Sequence, residues 1–248
     1  LTPERAMAIQ AALGADIAMA LDQCIPPDGA GAQASAVAME RSLRWGERCR
    51  RVHRRPDQAL FGIVQGGSEL RLRRRSARAT ADQGFHGYAH GGLGLGEAPE
   101  LRAELIAAAQ AILPASRPRY LMGLGRPEDL VRAIESGVDL FDCVVPTRHG
   151  RHGVLFTQQG RLMIKNSRFE RDHGPPDPAC DCPLCTSHSR SYLRHLIRCG
   201  DALGHRLASL HNLRFYLRIL ERARAAIASG AFAPLREELI ETSRRTLG

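Results

Sequence analysis

Cys180, Cys182 and Cys185 stand in the order Cys-Asp-Cys-Pro-Leu-Cys, with His211 further along the chain. Three thiols in so short a stretch cannot readily pair among themselves, yet a loop of that length can wrap one tetrahedral ion. Thiolate and imidazole together suit zinc, and a fourth ligand from a later helix closes a structural Cys3His site. A redox pair, or cysteines that share a loop by chance, is the competing reading. Turn-forming proline and glycine flank the cluster, as a ligand loop requires.

A second group of residues could carry a reaction. Asp142 follows a hydrophobic run in Phe141-Asp142-Cys143-Val144-Val145-Pro146-Thr147-Arg148. A carboxylate at a strand end can act as nucleophile or general base; the plainer role is a turn or N-cap aspartate. Just downstream, Arg148, His149, Arg151 and His152 surround two glycines, which predicts a flexible basic loop able to take phosphates beside the carboxylate. The alternative is a solvated turn. Asp22 and Gln65 form a further pair: a carboxylate accepts from two N–H donors, and an amide donates and accepts. With glycine backbone groups they could read the edge of a flat heterocycle, although either residue alone could equally be structural. Cys24 and Cys143 have no base adjacent in sequence and are expected to be small packing residues.

These residues need elements to hold them. Residues 1 to 150 alternate between helical and strand signals. A helix is predicted from Thr2 to Leu13, then a buried strand over Asp16 to Leu21 that ends at Asp22. A loop rich in Pro, Gly and Ala leads to a helix near Ala36 to Val52, then a strand over Phe61 to Val64 and an arginine-studded helix near Glu69 to Ala81. Strands at Gly87 to His90, Arg119 to Met122 and Val138 to Phe141 follow, with helices near Pro99 to Ile112 and Pro127 to Ser136. Strand-then-helix repetition is the pattern of a parallel sheet with helices outside it. Asp22, Gln65, Gly92, Gly123 and Asp142 all fall at strand C-termini, where barrels and doubly wound sheets alike bind ligands, so this pattern leaves both folds open.

Beyond residue 150 the rhythm changes. Val154 to Thr157 and Arg161 to Ile164 read as a β-hairpin, and helices are expected near Ser191 to Cys199, Ala202 to Ala228 and Leu235 to Leu247. Leu203, Leu207, Leu210, Leu213, Leu217 and Leu220 keep helical spacing and are expected to form a core stripe. Two parts follow: residues 1–150 with the reactive strand ends, and 151–248 with the hairpin, the cysteine cluster and the terminal helices.

Composition sets the frame. A chain of 248 residues with 44% hydrophobic and 25% charged residues is ordinary for a soluble globular protein. Seven cysteines, an odd number, argue against a disulfide framework and for a reducing, cytoplasmic compartment. No apolar run approaches the ~18 residues of a membrane span, and no charged-then-apolar leader is seen. A net charge of +9, with Lys165 the only lysine, favours a polyanionic partner, though a solvated basic surface explains it equally well. Thr2-Pro3-Glu4 reads as the start of a helix, so the chain is expected to open inside an element, as a piece of a longer protein.

Several stretches occur in one order that resembles a known family. They are Asp22-Gln23-Cys24, the Met39 to Trp45 segment, Val64-Gln65-Gly66-Gly67, Gly87 to Leu93, Tyr120-Leu121-Met122-Gly123, Phe141 to Arg151 and the cysteine cluster. Together they are similar to the tRNA-guanine transglycosylases, most closely the bacterial type, over essentially the whole chain. The resemblance implies a (β/α)8 TIM-type barrel, here incomplete, with a C-terminal zinc-binding lobe. It implies exchange of the wobble guanine of tRNA for a 7-deazaguanine base, preQ1, in queuosine biosynthesis. Asp142 would attack the ribose C1′. Asp22 would bind the guanine N1–H and amine, with Cys24 beside it; Gln65 and the Gly92 amide would meet O6. Leu93 would offer its carbonyl to the C7 substituent, and Met122 would cover one base face. Gly123, Leu124, Gly125, Arg126, Pro127, Glu128 and Asp129 match one tRNA-contacting segment, and Thr147, Arg148, His149, Gly150 and Arg151 match another. Cys180, Cys182, Cys185 and His211 match the ligands of one structural Zn2+, and the family resemblance also implies a homodimer.

Departures from the family pattern carry their own expectations. Only five barrel strands are predicted, so the family's first three strands are missing, with its second catalytic aspartate and an aromatic lid. Such an arc leaves a barrel edge unpaired, and the chain alone is expected to be inactive until the missing segment is supplied. Gly67 stands where many bacterial members carry serine, and His90 replaces an aliphatic residue; packing is the expected role for His90. Leu95 fills a position that is bulky in preQ1-using members. A non-catalytic tRNA-binding subunit is the main competing function, and a generic zinc nucleic-acid module a third.

Overall fold

The structure, a computed structural model, describes residues 1–25 and 31–247. It divides into two compact units: Leu1–Leu124 with Arg132–Asp142, and Gly125–Val131 with Cys143 onward. Part of the Pro, Gly and Ala-rich loop, residues 26–30, lies outside the described residues.

The first unit opens with α1 (Pro3–Leu13). Thr2 Oγ1 accepts the Arg5 N–H at 3.3 Å, and Pro3 fills the first helical turn, where its missing N–H leaves no bond unmade. Next come β1 (Ile17–Met19), α2 (Ala32–Val52), β2 (Ala59–Val64), α3 (Leu70–Asp82) and β3 (Gly87–His90). Then follow α4 (Pro99–Gln110), β4 (Arg119–Leu121), α5 (Pro127–Glu135, which counts with the second unit as far as Val131) and β5 (Leu140–Phe141). Each strand and helix predicted for this part is present, with slightly shifted ends.

All five strands are parallel and lie in the order β1-β2-β3-β4-β5, with Ile17 opposite Ala59, Phe61 opposite Gly87, Tyr88 opposite Arg119 and Tyr120 opposite Leu140. Every strand pairs with its predecessor, so the sheet is singly wound. A doubly wound sheet would reverse its order at a switch point. Parallel strands also bring all five C-terminal ends to one edge of the sheet. β3 is buried throughout and β2 nearly so, which is why both read as apolar runs rather than alternating ones. One core cluster joins Leu60, Val64, Phe85 and Tyr88 to Ala6 and Met7 of α1; another joins Leu93, Leu105, Ile106 and Leu121. Each such large side chain contributes roughly 1.5–3 kcal/mol on burial. On the outer edge of β1, the Gln10 amide takes the place of a neighbouring strand: its Nε2 donates to the Met19 carbonyl at 2.9 Å and its Oε1 accepts the Met19 N–H at 2.8 Å.

The second unit contains α6 (Val145–His152), β6 (Val154–Thr157), β7 (Gly160–Met163) and a 3-10 turn (Ser167–Phe169). After these come α7 (Pro183–Ser187), α8 (Arg190–Cys199), α9 (Ala202–Ala228), α10 (Phe232–Arg244) and β8 (Thr246–Leu247). β6 and β7 form the predicted antiparallel hairpin, Val154 opposite Met163 and Thr157 opposite Gly160.

Three expectations change here. The basic segment after Asp142 is a helix, α6, not a flexible loop: Pro146 sits in its first turn and Gly153 ends it in the left-handed region at φ 81°. Gly150 lies inside that helix because a Cβ there would come within 2.7 Å of the Ser209 backbone nitrogen on α9. The last helix stops at Arg244, and Thr246 and Leu247 instead pair parallel with β7, where the Arg161 N–H reaches the Arg245 carbonyl at 3.0 Å. Finally, the leucine stripe of α9 is not core. Leu203, Leu210, Leu213 and Leu217 are 41–55% exposed and only Leu207 of the stripe is buried, while Ala208, His211, Asn212, Tyr216, Ile219 and Ala223 form the buried face.

Candidate active site and metal centre

Asp22 leaves the end of β1, and Gln65 the end of β2. They meet directly: Gln65 Nε2 donates to Asp22 Oδ2 at 2.5 Å. The Gln65 N–H is held by Ser76 Oγ at 3.0 Å, so side chain and backbone are both fixed. Gly91 and Gly92, after β3, wrap the amide. A Cβ on Gly91 would fall 2.6 Å from Gln65 Nε2, and one on Gly92 2.5 Å from Oε1. Gly92 also holds φ 64°, where side chains are strained. This is the physical reason for two adjacent glycines at the strand end. Burial pushes the Asp22 carboxyl up from its ordinary range, and the Gln65 hydrogen bond opposes that shift. Leu93 is buried beside Gly92, Met122 is half-buried at the end of β4, and Cys24 is exposed. Cys24 is therefore not the packing residue expected from sequence, because the chain has already left the sheet when it reaches it.

Asp142 follows β5 directly and is exposed. Its Oδ1 accepts the Tyr120 hydroxyl at 2.6 Å and the Gly123 N–H at 2.8 Å. Both donors come from β4 and its following turn, the neighbouring strand in the sheet. Burial, then the bond to Asp142, push the Tyr120 phenol up, so it stays protonated and keeps donating. Two donors on Oδ1 fix the carboxylate plane. The strand ends thus gather Asp22, Gln65, Gly92, Met122 and Asp142 on one edge of one sheet.

The segments matched to RNA contacts divide between the units. Gly123 and Leu124 belong to the first, whereas Gly125, Arg126, Pro127, Glu128 and Asp129 belong to the second. The Arg126 carbonyl accepts from the Asp129 N–H at 2.9 Å as α5 begins. The Gly125 carbonyl accepts the Tyr216 hydroxyl at 2.6 Å and the Cys143 thiol at 3.6 Å, so half-buried Cys143 has a polar partner besides its packing. On α6, Arg148 and Arg151 are exposed, Thr147 is half-buried and Gly150 is buried. His149 Nδ1 donates to the Val145 carbonyl at 3.1 Å, and its ring lies 5.3 Å from the Phe156 ring. Burial lowers its pKa, and Arg126 and Arg161 add to that. Two guanidinium groups are thereby left for solvent or a polyanion.

Cys180, Cys182, Cys185 and His211 are all buried, and their donor atoms lie within 4.8 Å of one another. His211 Nδ1 is 3.4 Å from Cys182 Sγ and 3.3 Å from Cys185 Sγ. Those are the separations of neighbouring corners around a small tetrahedral ion with bonds of about 2.0–2.3 Å. His211 Nε2 lies 2.8 Å from the Phe156 carbonyl, which fixes its proton there and turns Nδ1 to the sulfurs. Burial pulls His211 down, but the Cys180 and Cys182 sulfurs outweigh it and raise it to about 9. The same donors that hold a proton on Nδ1 would hold a metal in its place. The residues present therefore fit a metal ion. Asn212, next to His211, ties the lobe around them: it accepts the Phe156 N–H at 3.0 Å and donates to Pro146 and Val154 carbonyls at 2.9 Å each.

Tyr120, Arg73 and Ser76 belong to this site, and nothing in their spacing singles them out. Tyr120 lies inside a motif but reads as an ordinary strand aromatic. Arg73 is one of five arginines on α3, and only its buried position distinguishes it. Among the described residues no helix is long and apolar enough to cross a membrane.

Comparison with known proteins places this arrangement. The family model described as queuine tRNA-ribosyltransferase matches residues 1–245. The chain is 49% identical over 240 residues to a queuine tRNA-ribosyltransferase of Halothermothrix orenii, and 48% identical over 242 residues to those of Geobacillus kaustophilus and Bacillus cytotoxicus. In each case the match covers 97% of this chain but only 63–64% of the relative, so the chain spans a little under two thirds of their length. With a family match that runs nearly end to end, the chain belongs to the queuine tRNA-ribosyltransferase family.

Proposed function

We propose that this chain carries the base-exchange site of a tRNA-guanine transglycosylase, replacing the wobble guanine of tRNA with a 7-deazaguanine base in queuosine biosynthesis. The observation that carries the reading is the strand-end edge where a carboxylate oriented by two donors, Asp142, shares one sheet with the Asp22–Gln65–Gly92 cradle. Asp142 Oδ2 would attack C1′ of the ribose while the C1′–N9 bond breaks and its electron pair leaves with guanine. The incoming base, in the same cradle, would then attack C1′ from N9, lose its N9 proton and expel the carboxylate. Two displacements retain the configuration, as in retaining glycosidases. Asp22 would accept from N1–H and the exocyclic amine, and Gln65 with the Gly92 N–H would bind the C6 oxygen. The relatives' names give queuine as their base; with bulky Leu95 after Gly94, a smaller preQ1-type base is the one proposed here.

The singly wound order supports an arc of a (β/α)8 barrel, completed by further strands. Cys180, Cys182, Cys185 and His211 would hold zinc, whose contribution is to brace the second unit. Four protein donors leave no position open for a reacting water. Arg148 and Arg151 would meet tRNA phosphates. The exposed leucines of α9 suit a second copy of the chain, and seven cysteines with no disulfide among the described residues suit a reducing cytoplasm.

The test is covalent trapping. Incubation with tRNA bearing wobble guanine should give a protein–RNA adduct on a denaturing gel, and added free base should dissolve it. Asp142→Asn should form none and should lower exchange on the order of 10³-fold or more. Binding of tRNA with no adduct, even when the remaining barrel strands are supplied in trans, would leave only a tRNA-binding subunit.

A further inference from the structure

Arg73 is the largest side chain to lie fully out of solvent among the described residues, at 0% exposure. A guanidinium in that position normally finds a carboxylate; this one finds three backbone carbonyls. Nη1 donates to Val64 at 2.8 Å, Nη2 to Gly91 at 2.7 Å and Nε to Gly67 at 3.2 Å. Burial lowers its pKa to about 10, which still leaves it charged at neutral pH. Apolar packing between α3 and the sheet would need no charge at all, and burying one without need is costly.

The three carbonyls explain the charge. A peptide unit is rigid, so holding a C=O also aims the N–H of the next residue. The Val64 carbonyl belongs to the peptide that carries the Gln65 N–H, and the Gly91 carbonyl to the peptide that carries the Gly92 N–H. One guanidinium therefore fixes two peptide planes at the C-terminal ends of neighbouring strands, β2 and β3. A charged donor on a carbonyl also polarises the amide and strengthens the N–H at its other end. Gly92 has φ 64° and no side chain to restrain it, so its peptide is the one in most need of an external hold.

We propose that Arg73 is a positioning residue for recognition of the base carbonyl: it aims the Gly92 N–H, holds the backbone from which the Gln65 side chain projects (the Gln65 N–H itself being taken by Ser76), and so sets selectivity at the six-position of the purine. This rests on the transglycosylase reading, in which those two residues meet the C6 oxygen. Arg73 touches no substrate itself.

Calorimetric titration of the chain with guanine and with 6-thioguanine provides the test. The thione keeps the N1–H and amine edge for Asp22 but offers sulfur, a poor acceptor, in place of oxygen. Arg73→Lys should weaken guanine about tenfold and 6-thioguanine less than about twofold, so the preference for guanine shrinks. Arg73→Gln, neutral but still a donor, serves as the second variant, with folding checked by circular-dichroism melting. Equal weakening of both bases, or loss of the fold in both variants, would make Arg73 a plain stability residue and overturn the assignment. If the wild-type chain binds neither base even with the remaining barrel strands supplied in trans, the transglycosylase reading itself fails; binding of guanine with an unchanged preference in the variants sinks only the role of Arg73.

Discussion

His90 closes β3 with no exposure, and its ring nitrogens make no well-formed hydrogen bond, with the buried Gln110 amide as a weak polar neighbour. Burial, followed by the charge of Arg73, lowers its pKa from 6.5 to about 3, so the ring is neutral in the fold. In the unfolded chain it gains a proton below about pH 6.5. The unfolded state then binds more protons across the window from about 6.5 down to about 3, and stability falls as pH falls through it. The loss is at most about 1.4 kcal/mol per pH unit. His90→Leu should remove this slope and change stability at pH 7 by no more than about 1 kcal/mol, because two poorly bonded buried nitrogens disappear while Gln110 loses its weak neighbour. Urea unfolding at pH 7 and pH 5 reads both effects; an unchanged pH slope would count against them. Packing was the expected role for His90, and burial fits it, but the sequence could not convey that the ring is sealed without a well-formed hydrogen bond. Asp22, Gln65 and Asp142 were legible because residue type and strand-end position coincide. Tyr120 and Arg73 were not, since a strand tyrosine and one arginine among several carry no distinguishing pattern until the fold brings their partners to them.

On α9 the leucines misled for a definable reason. Helical spacing marks a face but not which face is buried, and the second unit buries the one bearing His211 and Asn212. Small residues are needed there because neighbours come close: a Cβ on Gly204 would lie 2.7 Å from the Leu196 Cβ. Close backbone approach and the buried cysteine–histidine cluster, not leucine content, choose the face. Cys180, Cys182 and Cys185 sit in one cluster with Leu155, Leu184, Leu193 and Phe169. If these four residues hold zinc as proposed, chelation should leave buried thiols without their ion and loosen that whole cluster. Hydrogen exchange on the intact chain should rise across α7, α9 and β6 while β2 and β3 keep their protection. A uniform rise over both units would contradict a brace confined to the second. Cys182→Ser should reproduce the chelated pattern without added chelator.

Taken as one molecule, the chain carries +9, and its exposed guanidinium groups include Arg71, Arg74 and Arg78 on α3 and Arg148 and Arg151 on α6. Affinity for tRNA should fall linearly on a log–log plot against salt, by roughly 0.7–0.9 per phosphate neutralised. Arg148→Ala with Arg151→Ala should flatten that slope by about 1–2, read by filter binding between about 50 and 200 mM salt. An unchanged slope would mean that these two side chains do not reach phosphates. Strand order was beyond the sequence, because strand-then-helix alternation is shared by singly and doubly wound sheets; pairing between distant segments decides it. That order has an outer boundary at β1, where Gln10 bonds both backbone groups of Met19. A further strand can join there only by evicting that amide, since both would use the same donor and acceptor. Growth of the sheet is thus a contest between a side chain tethered to its own helix and an incoming backbone. The side chain loses two bonds when the backbone wins, while the newcomer gains a ladder that extends along the edge.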